Sequence, residues 1–120
     1  MDLLILNALA VVGSEVLPLD IAIQKGKICA LGHDLQAYQE GAQRVIDAQK
    51  RIVTPGGVDI HAHLSYFVGG RHTADTFASG TQAALFGGTT TVMDFVEAAE
   101  EESLTQALER RRREAQDLVC

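Results

Sequence analysis

The spacing of hydrophobic residues changes at Pro55, and the change divides the chain into two kinds of secondary structure. Before Pro55 the apolar runs are short. Leu3 to Val12 is apolar and bounded by Gly13-Ser14, and Asp20-Ile21-Ala22-Ile23-Gln24 alternates with the period of two of a half-buried strand. Lys25-Gly26 then precedes Lys27-Ile28-Cys29-Ala30-Leu31-Gly32, a hairpin signature in which Gly26 supplies the positive φ of a tight two-residue turn. His33 to Gln43 reads as a polar connection. Val45-Ile46-Asp47 and Arg51-Ile52-Val53 read as two further strands around a turn at Ala48-Gln49-Lys50. Strands at this spacing predict a small all-β layer, sandwich or open barrel, over residues 1–55.

After Pro55 the elements lengthen and alternate in type. Val58 to Leu64 is continuous and apolar apart from its Asp and His residues, as in a sheet buried on both faces. Tyr66 to His72 reads as a loop with two glycines. Thr73 or Asp75 caps a helix whose Phe77, Thr81, Ala84 and Leu85 share a face, and Gly87-Gly88 ends it. Thr89 to Val96, rich in β-branched residues, is a second buried strand. Ser103 caps a second helix with Leu104, Ala107, Leu108 and Ala115 on one face, and Asp117-Leu118-Val119-Cys120 looks like the start of a third strand. The order β-α-β-α-β predicts parallel pairing with right-handed crossovers.

Composition narrows the function classes. The 120 residues are 47% hydrophobic and 22% charged, a globular balance, and the net charge of -6 argues against nucleic-acid binding, which needs a positive footprint. Arg110-Arg111-Arg112-Arg113, bracketed by Glu109 and Glu114, is expected to be a solvated helix face. Cys29 and Cys120 stand far apart and suggest neither a disulfide framework nor a thiolate metal site. No run is long enough to span a bilayer, and an acid at Asp2 replaces the basic start of a signal peptide, so a cytoplasmic setting is expected.

The chemistry concentrates at His61 and His63. His-x-His in a strand puts both imidazoles on one face, and two imidazole nitrogens aimed at one point are half of a typical zinc site. Asp59 has the same parity and is placed to orient a ligand or to shape the floor beneath the pair. Both histidines fall at the C-terminal end of their strand, where parallel α/β barrels carry functional side chains.

Pro55-Gly56-Gly57-Val58-Asp59-Ile60-His61-Ala62-His63, followed by Thr73 through Gly87-Gly88-Thr89-Thr90-Thr91 to Asp94-Phe95-Val96, resembles the N-terminal part of a cyclic amidohydrolase. Within that superfamily it is most similar to hydantoinases and dihydropyrimidinases. Dihydroorotases usually carry an Arg-Glu-Pro-Gly-like stretch after His-x-His, and allantoinases match less well for a similar reason. The resemblance implies an α/β fold: the start of a TIM-like (β/α)8 barrel after a small β-sandwich domain that is built from both chain ends. Residues 1–55 are then the N-terminal part of the sandwich, and residues 56–120 the first βα units of the barrel.

The resemblance also implies two zinc ions bridged by a carboxylated lysine, with His61 and His63 holding one of them. The lysine, two further histidines and a proton-shuttling aspartate lie on later strands in the family. The reaction implied is hydrolytic opening of a hydantoin or dihydropyrimidine, a small cyclic amide, to an N-carbamoyl amino acid. Ser65 to Gly70 resembles the family's substrate-gating loop, in which Tyr66 and Phe67 either pack on the ring substituent or act as ordinary packing aromatics. His72 is expected at the surface. Asp94 either supports the metal ligands from behind or bonds a neighbouring turn.

A TIM barrel takes about 250 residues, so the chain reads as truncated after about two βα units, inactive alone, with a third strand just begun. Its uncovered strands are expected to associate, as a homo-oligomer or with a partner. The competing readings are a non-catalytic scaffolding relative, against which the intact His61 and His63 count, a dihydroorotase- or allantoinase-type relative, and a stand-alone binding module.

Overall fold

Gly13 and the Lys25-Gly26 pair, all at positive φ, fold the start of the chain into a three-stranded meander of β1 (Leu3–Val12), β2 (Glu15–Gln24) and β3 (Lys27–Gly32). Two consecutive left-handed residues give the primed turn whose twist matches that of the flanking strands. The computed structural model describes residues 1–119 and resolves into two units, Met1–Pro55 and Gly56–Cys120.

In the first unit β4 (Arg44–Asp47) and β5 (Ile52–Val53) pair in parallel with β1, which completes a five-stranded sheet with the path β3-β2-β1-β4. The segment expected as a polar connection forms a 3₁₀ helix over Leu35–Gly41. A bulge at Asn7, at φ 56°, breaks the register of β1 against β2 between Ile5 and Ala8. Each strand residue turns to the opposite face from its neighbour, so the extra residue shifts which parity faces which side. Leu4 and Leu6 therefore join Ala22 and Leu35 in one core, while Ala8 and Ala10 join Ile21 and Ala48 in another on the opposite face. The bulge is held by Asp20, which accepts from the Asn7 amide at 2.8 Å, and by Asp47, which accepts from its side chain at 3.0 Å.

The second unit runs β6 (Gly57–Ala62), a hairpin of β7 (Phe67–Val68) and β8 (Arg71–His72), α1 (Phe77–Phe86), β9 (Thr89–Asp94) and α2 (Leu104–Ala115). β6 and β9 pair in parallel from Gly57↔Thr89 to Ala62↔Asp94, joined through α1. Both helices open on capping boxes, Thr76 with Ser79 and Ser103 with Gln106, in which side chain and backbone satisfy each other's free donors. Gly88, at φ 84°, follows the end of α1.

Local expectations for this unit are corrected, among them the end of the second strand, which is Asp94 rather than Val96. The α1 cap is Thr76 rather than Thr73 or Asp75, because the Thr76 hydroxyl reaches the Ser79 amide. The segment expected as a loop after Tyr66 is a hairpin, because Gly69 and Gly70 both take positive φ. β6 ends at Ala62 rather than Leu64, since the chain turns left-handed at Ser65. Asp117, at φ 59°, lies in a turn where a strand was expected. The last residue of that expectation, Cys120, lies outside the described residues. Val58 and Ile60, read as buried on both faces, are 59% and 72% exposed, because β6 pairs only with β9 among the described residues.

A Cβ at Gly56 would overlap the Thr90 hydroxyl and methyl and come within 2.6 Å of the Thr90 Cβ, which the strand backbone holds in place. Gly56→Ala is therefore expected to destabilise the second unit by about 1–3 kcal/mol. Denaturant melts beside Gly41→Ala, where a Cβ meets nothing within 4 Å, would check this.

Candidate metal centre

The alternation of β6 sends Asp59, His61 and His63 to one side, and His63 is the first residue beyond the strand. The two imidazoles converge. Their Nε2 atoms stand 3.1 Å apart, with the rings inclined at 62°. Phe95, just past β9, lies against both rings at 4.3 Å and 5.1 Å between centroids, and Tyr66 packs on His63 at 4.8 Å. Asp59 accepts from the His61 amide at 3.0 Å, so its carboxylate fixes the strand end rather than an imidazole.

Two nitrogens bound to one zinc ion at about 2.0–2.1 Å stand about 3.3 Å apart at the tetrahedral angle, and the observed 3.1 Å is close to that separation. Without a cation, the same distance suits a hydrogen bond between one protonated and one bare nitrogen. For both Nε2 lone pairs to face a cation, each ring must carry its proton on Nδ1. The His63 Nδ1 is buried and has no hydrogen-bond partner among the described residues. The pair fits a metal, but among the described residues no group of three His, Cys, Asp or Glu side chains surrounds one point.

The backbone leaving β6 is held tightly. The Phe95 amide donates to the Ala62 carbonyl at 2.9 Å, and the Leu64 amide donates to Asp94 Oδ1 at 2.8 Å. The Thr73 hydroxyl donates to the His63 carbonyl at 3.0 Å and accepts from the Tyr66 amide at 2.9 Å. The other Asp94 oxygen accepts from Arg111 Nε at 2.7 Å. Asp94 thus bonds the neighbouring turn through the Leu64 amide.

Arg111 corrects the expectation for its cluster. It is 7% exposed, and its guanidinium lies 4.5 Å from the centre of the Phe77 ring. A signal for this was present: position 111 lies four residues after Ala107 and seven after Leu104, inside the apolar stripe of α2. Arg110 stays at the surface, paired with Glu102 at 3.0 Å and Glu114 at 3.2 Å. Phe95 was also missed. Its position, one residue beyond a strand end that faces the histidines, becomes informative only once β6 and β9 are known to pair.

Tyr66, Phe67 and His72 line a cleft of about 510 Å³ together with Phe95, Glu97 and Arg110. Phe67 is exposed, with its ring 5.0 Å from that of His72 across the hairpin. Hydrogen bonding to the Glu97 carboxylate, with desolvation and the Glu97 charge, raises the Tyr66 phenol above its ordinary pKa, against the opposing charge of Arg111.

The family described as Amidohydrolase family matches residues 52–120. The chain is 44% identical over 109 residues to the D-hydantoinase of Geobacillus stearothermophilus, covering 91% of this chain and 22% of that one. It is 42% identical over 93 residues to the allantoinase of Salmonella choleraesuis, covering 78% and 19%. The crystal structure of dihydropyrimidinase from Brevibacillus agri superposes with a TM-score of 0.90 at 39% identity, covering 99% of this chain and 25% of that one. The chain thus spans about a fifth of the curated relatives and a quarter of the solved chain. Its fold class is α/β, the opening βα units of a TIM-like barrel preceded by a β layer.

Replacing Glu97 with glutamine removes the charge that opposes the phenolate. The alkaline titration of Tyr66, read by phenolate absorbance in a Tyr38→Phe background, is expected to move to lower pH in Glu97→Gln. An unchanged midpoint would remove Glu97 as the cause.

Proposed function

The chain belongs to the amidohydrolase family, and from that premise we propose that it carries the first two metal ligands of an enzyme that opens a hydantoin or dihydropyrimidine ring to an N-carbamoyl amino acid. The convergence of His61 and His63 Nε2 to 3.1 Å carries the reading. His-x-His at a strand end brings two neutral donors to one point, and Phe95 against both rings limits their rotation. When bound, zinc lowers the pKa of a coordinated water and polarises the ring carbonyl.

The chain's own residues hold and orient. Asp59 keeps the strand end in register through the His61 amide, and Thr73 ties the His63 carbonyl to the segment that carries Tyr66. Tyr66 and Phe67 line the cleft and present aromatic surface to the substituent of a small cyclic amide. In the same reading residues 1–55 are the N-terminal part of a composite β-sandwich. The second half of a binuclear zinc site comes from the family's later strands, and the protein works in the cytoplasm as a homo-oligomer. No helix of the described residues is long and apolar enough to cross a membrane.

Two imidazoles are half of a four-ligand site, so this chain is expected to bind zinc weakly and to leave hydantoin intact. Calorimetric zinc titration should show weak binding by the chain that disappears in His61→Ala and in His63→Ala. In a protein with the family's complete ligand set, either replacement should remove metal and ring opening together. Equal zinc binding by the unaltered chain and both variants would sink the assignment.

A further inference from the structure

We infer that Arg111 is a positioning residue for the histidine pair: from α2 it grips the Leu64 and Ser65 carbonyls, just beyond His63, and so fixes where that imidazole stands. The inference rests on the metal-site reading above, but its first readouts need no metal.

The grip has several parts. Nε donates to Asp94 Oδ2 at 2.7 Å, and Nη2 reaches the same oxygen at 2.6 Å. Nη2 also donates to the Leu64 carbonyl, and Nη1 donates to the Ser65 carbonyl at 3.4 Å and to Glu114 Oε2 at 2.9 Å. Leu64 is therefore held at both ends, its amide by Asp94 and its carbonyl by Arg111. The residue so held is bonded directly to His63, whose own carbonyl takes the Thr73 hydroxyl. With the backbone fixed on both sides, and Phe95 and Tyr66 against its ring, the His63 imidazole has little freedom left.

Packing alone does not call for an arginine at this position. The α2 stripe contains Ala107, with no exposed surface, four residues earlier, and an apolar side chain would continue it. Exchanging a buried ion pair for apolar residues of similar volume is often neutral for stability. A leucine or methionine cannot donate to two carbonyls that leave the sheet at a strand end. The planar fork of a guanidinium can serve both while pairing with a carboxylate. The Phe77 ring beneath it supports the same orientation.

The test uses the 120-residue chain with Arg111→Met, which keeps the volume and removes the donors, and Arg111→Lys, which keeps the charge and removes the fork. Amide exchange at Leu64 and long-range proton–nitrogen spectra of the imidazoles are read without metal, and amide protection in α2 and along β6–β9 reports folding. In Arg111→Met, α2 and the strands should keep their protection while Leu64 exchange accelerates at least about tenfold, as for a locally opened segment. The His63 nitrogens should move toward tautomer-averaged shifts. Zinc affinity should fall by about 10–100-fold, the usual effect of losing a group that orients a ligand. Arg111→Lys should lie between Arg111→Met and the unaltered chain.

If Arg111→Met does not fold, Asp94→Asn carries the same readouts, since it keeps an acceptor for the Leu64 amide and loses the ion pair. Unchanged Leu64 exchange and unchanged His63 shifts in a folded variant would overturn the inference. Shifts that move as expected in a chain that binds no zinc would support the grip and remove the metal reading instead.

Discussion

Asp94 ends β9 with one carboxylate oxygen on the Leu64 amide and the other on the Arg111 guanidinium, so a single side chain joins the end of β6, the end of β9 and the middle of α2. Its effect depends on burial, since a charge pair at a solvated surface contributes little. Here the two side chains are 14% and 9% exposed, and removal of either would strand a charge in a poorly solvated place. The same contact determines how the chain leaves the sheet, and the site inherits that geometry, because His63 lies on the segment so held.

The imidazoles receive their position from three directions. The pleat of β6 aims them to one side, the pairing with β9 brings Phe95 against both rings, and the segment from Tyr66 to Thr73 holds the backbone carbonyl of His63. Each constraint is weak alone. Together they leave the two Nε2 atoms facing one point, with the polar far side of His63 still unmatched among the described residues. A binding site for a small cation needs this kind of restraint, because freely turning ligands lose entropy on binding.

The two units differ in how far they satisfy themselves. The sheet of residues 1–55 buries apolar residues on both faces, and the Asn7 bulge is what lets one strand serve both. The strands of the second unit keep Val58, Ile60 and Met93 exposed, although their composition is that of a buried parallel sheet. Apolar composition there states what the strands require, and the described residues supply part of it.

From the sequence alone the period change at Pro55, most of the β layer, the parallel βαβα order and the convergence of His61 with His63 were legible, whereas the first half of β2, from Glu15 to Leu19, was not. Each follows from local rules: alternation in strands, a 3.6-residue stripe in helices, and the φ that Gly26 permits. What escaped local rules was decided by tertiary structure. The Asn7 bulge depends on Asp20 and Asp47 being brought alongside, and the choice of Thr76 as cap depends on which hydroxyl reaches a free amide. Phe95 became part of the site only through the pairing of two distant strands. Arg111 was read as a solvated charge because its neighbours in sequence are charged. Its place on the apolar stripe of α2 marks it for burial, but its partners Asp94, Leu64, Ser65 and Phe77 are distant in sequence, and only the folded chain assembles them around it.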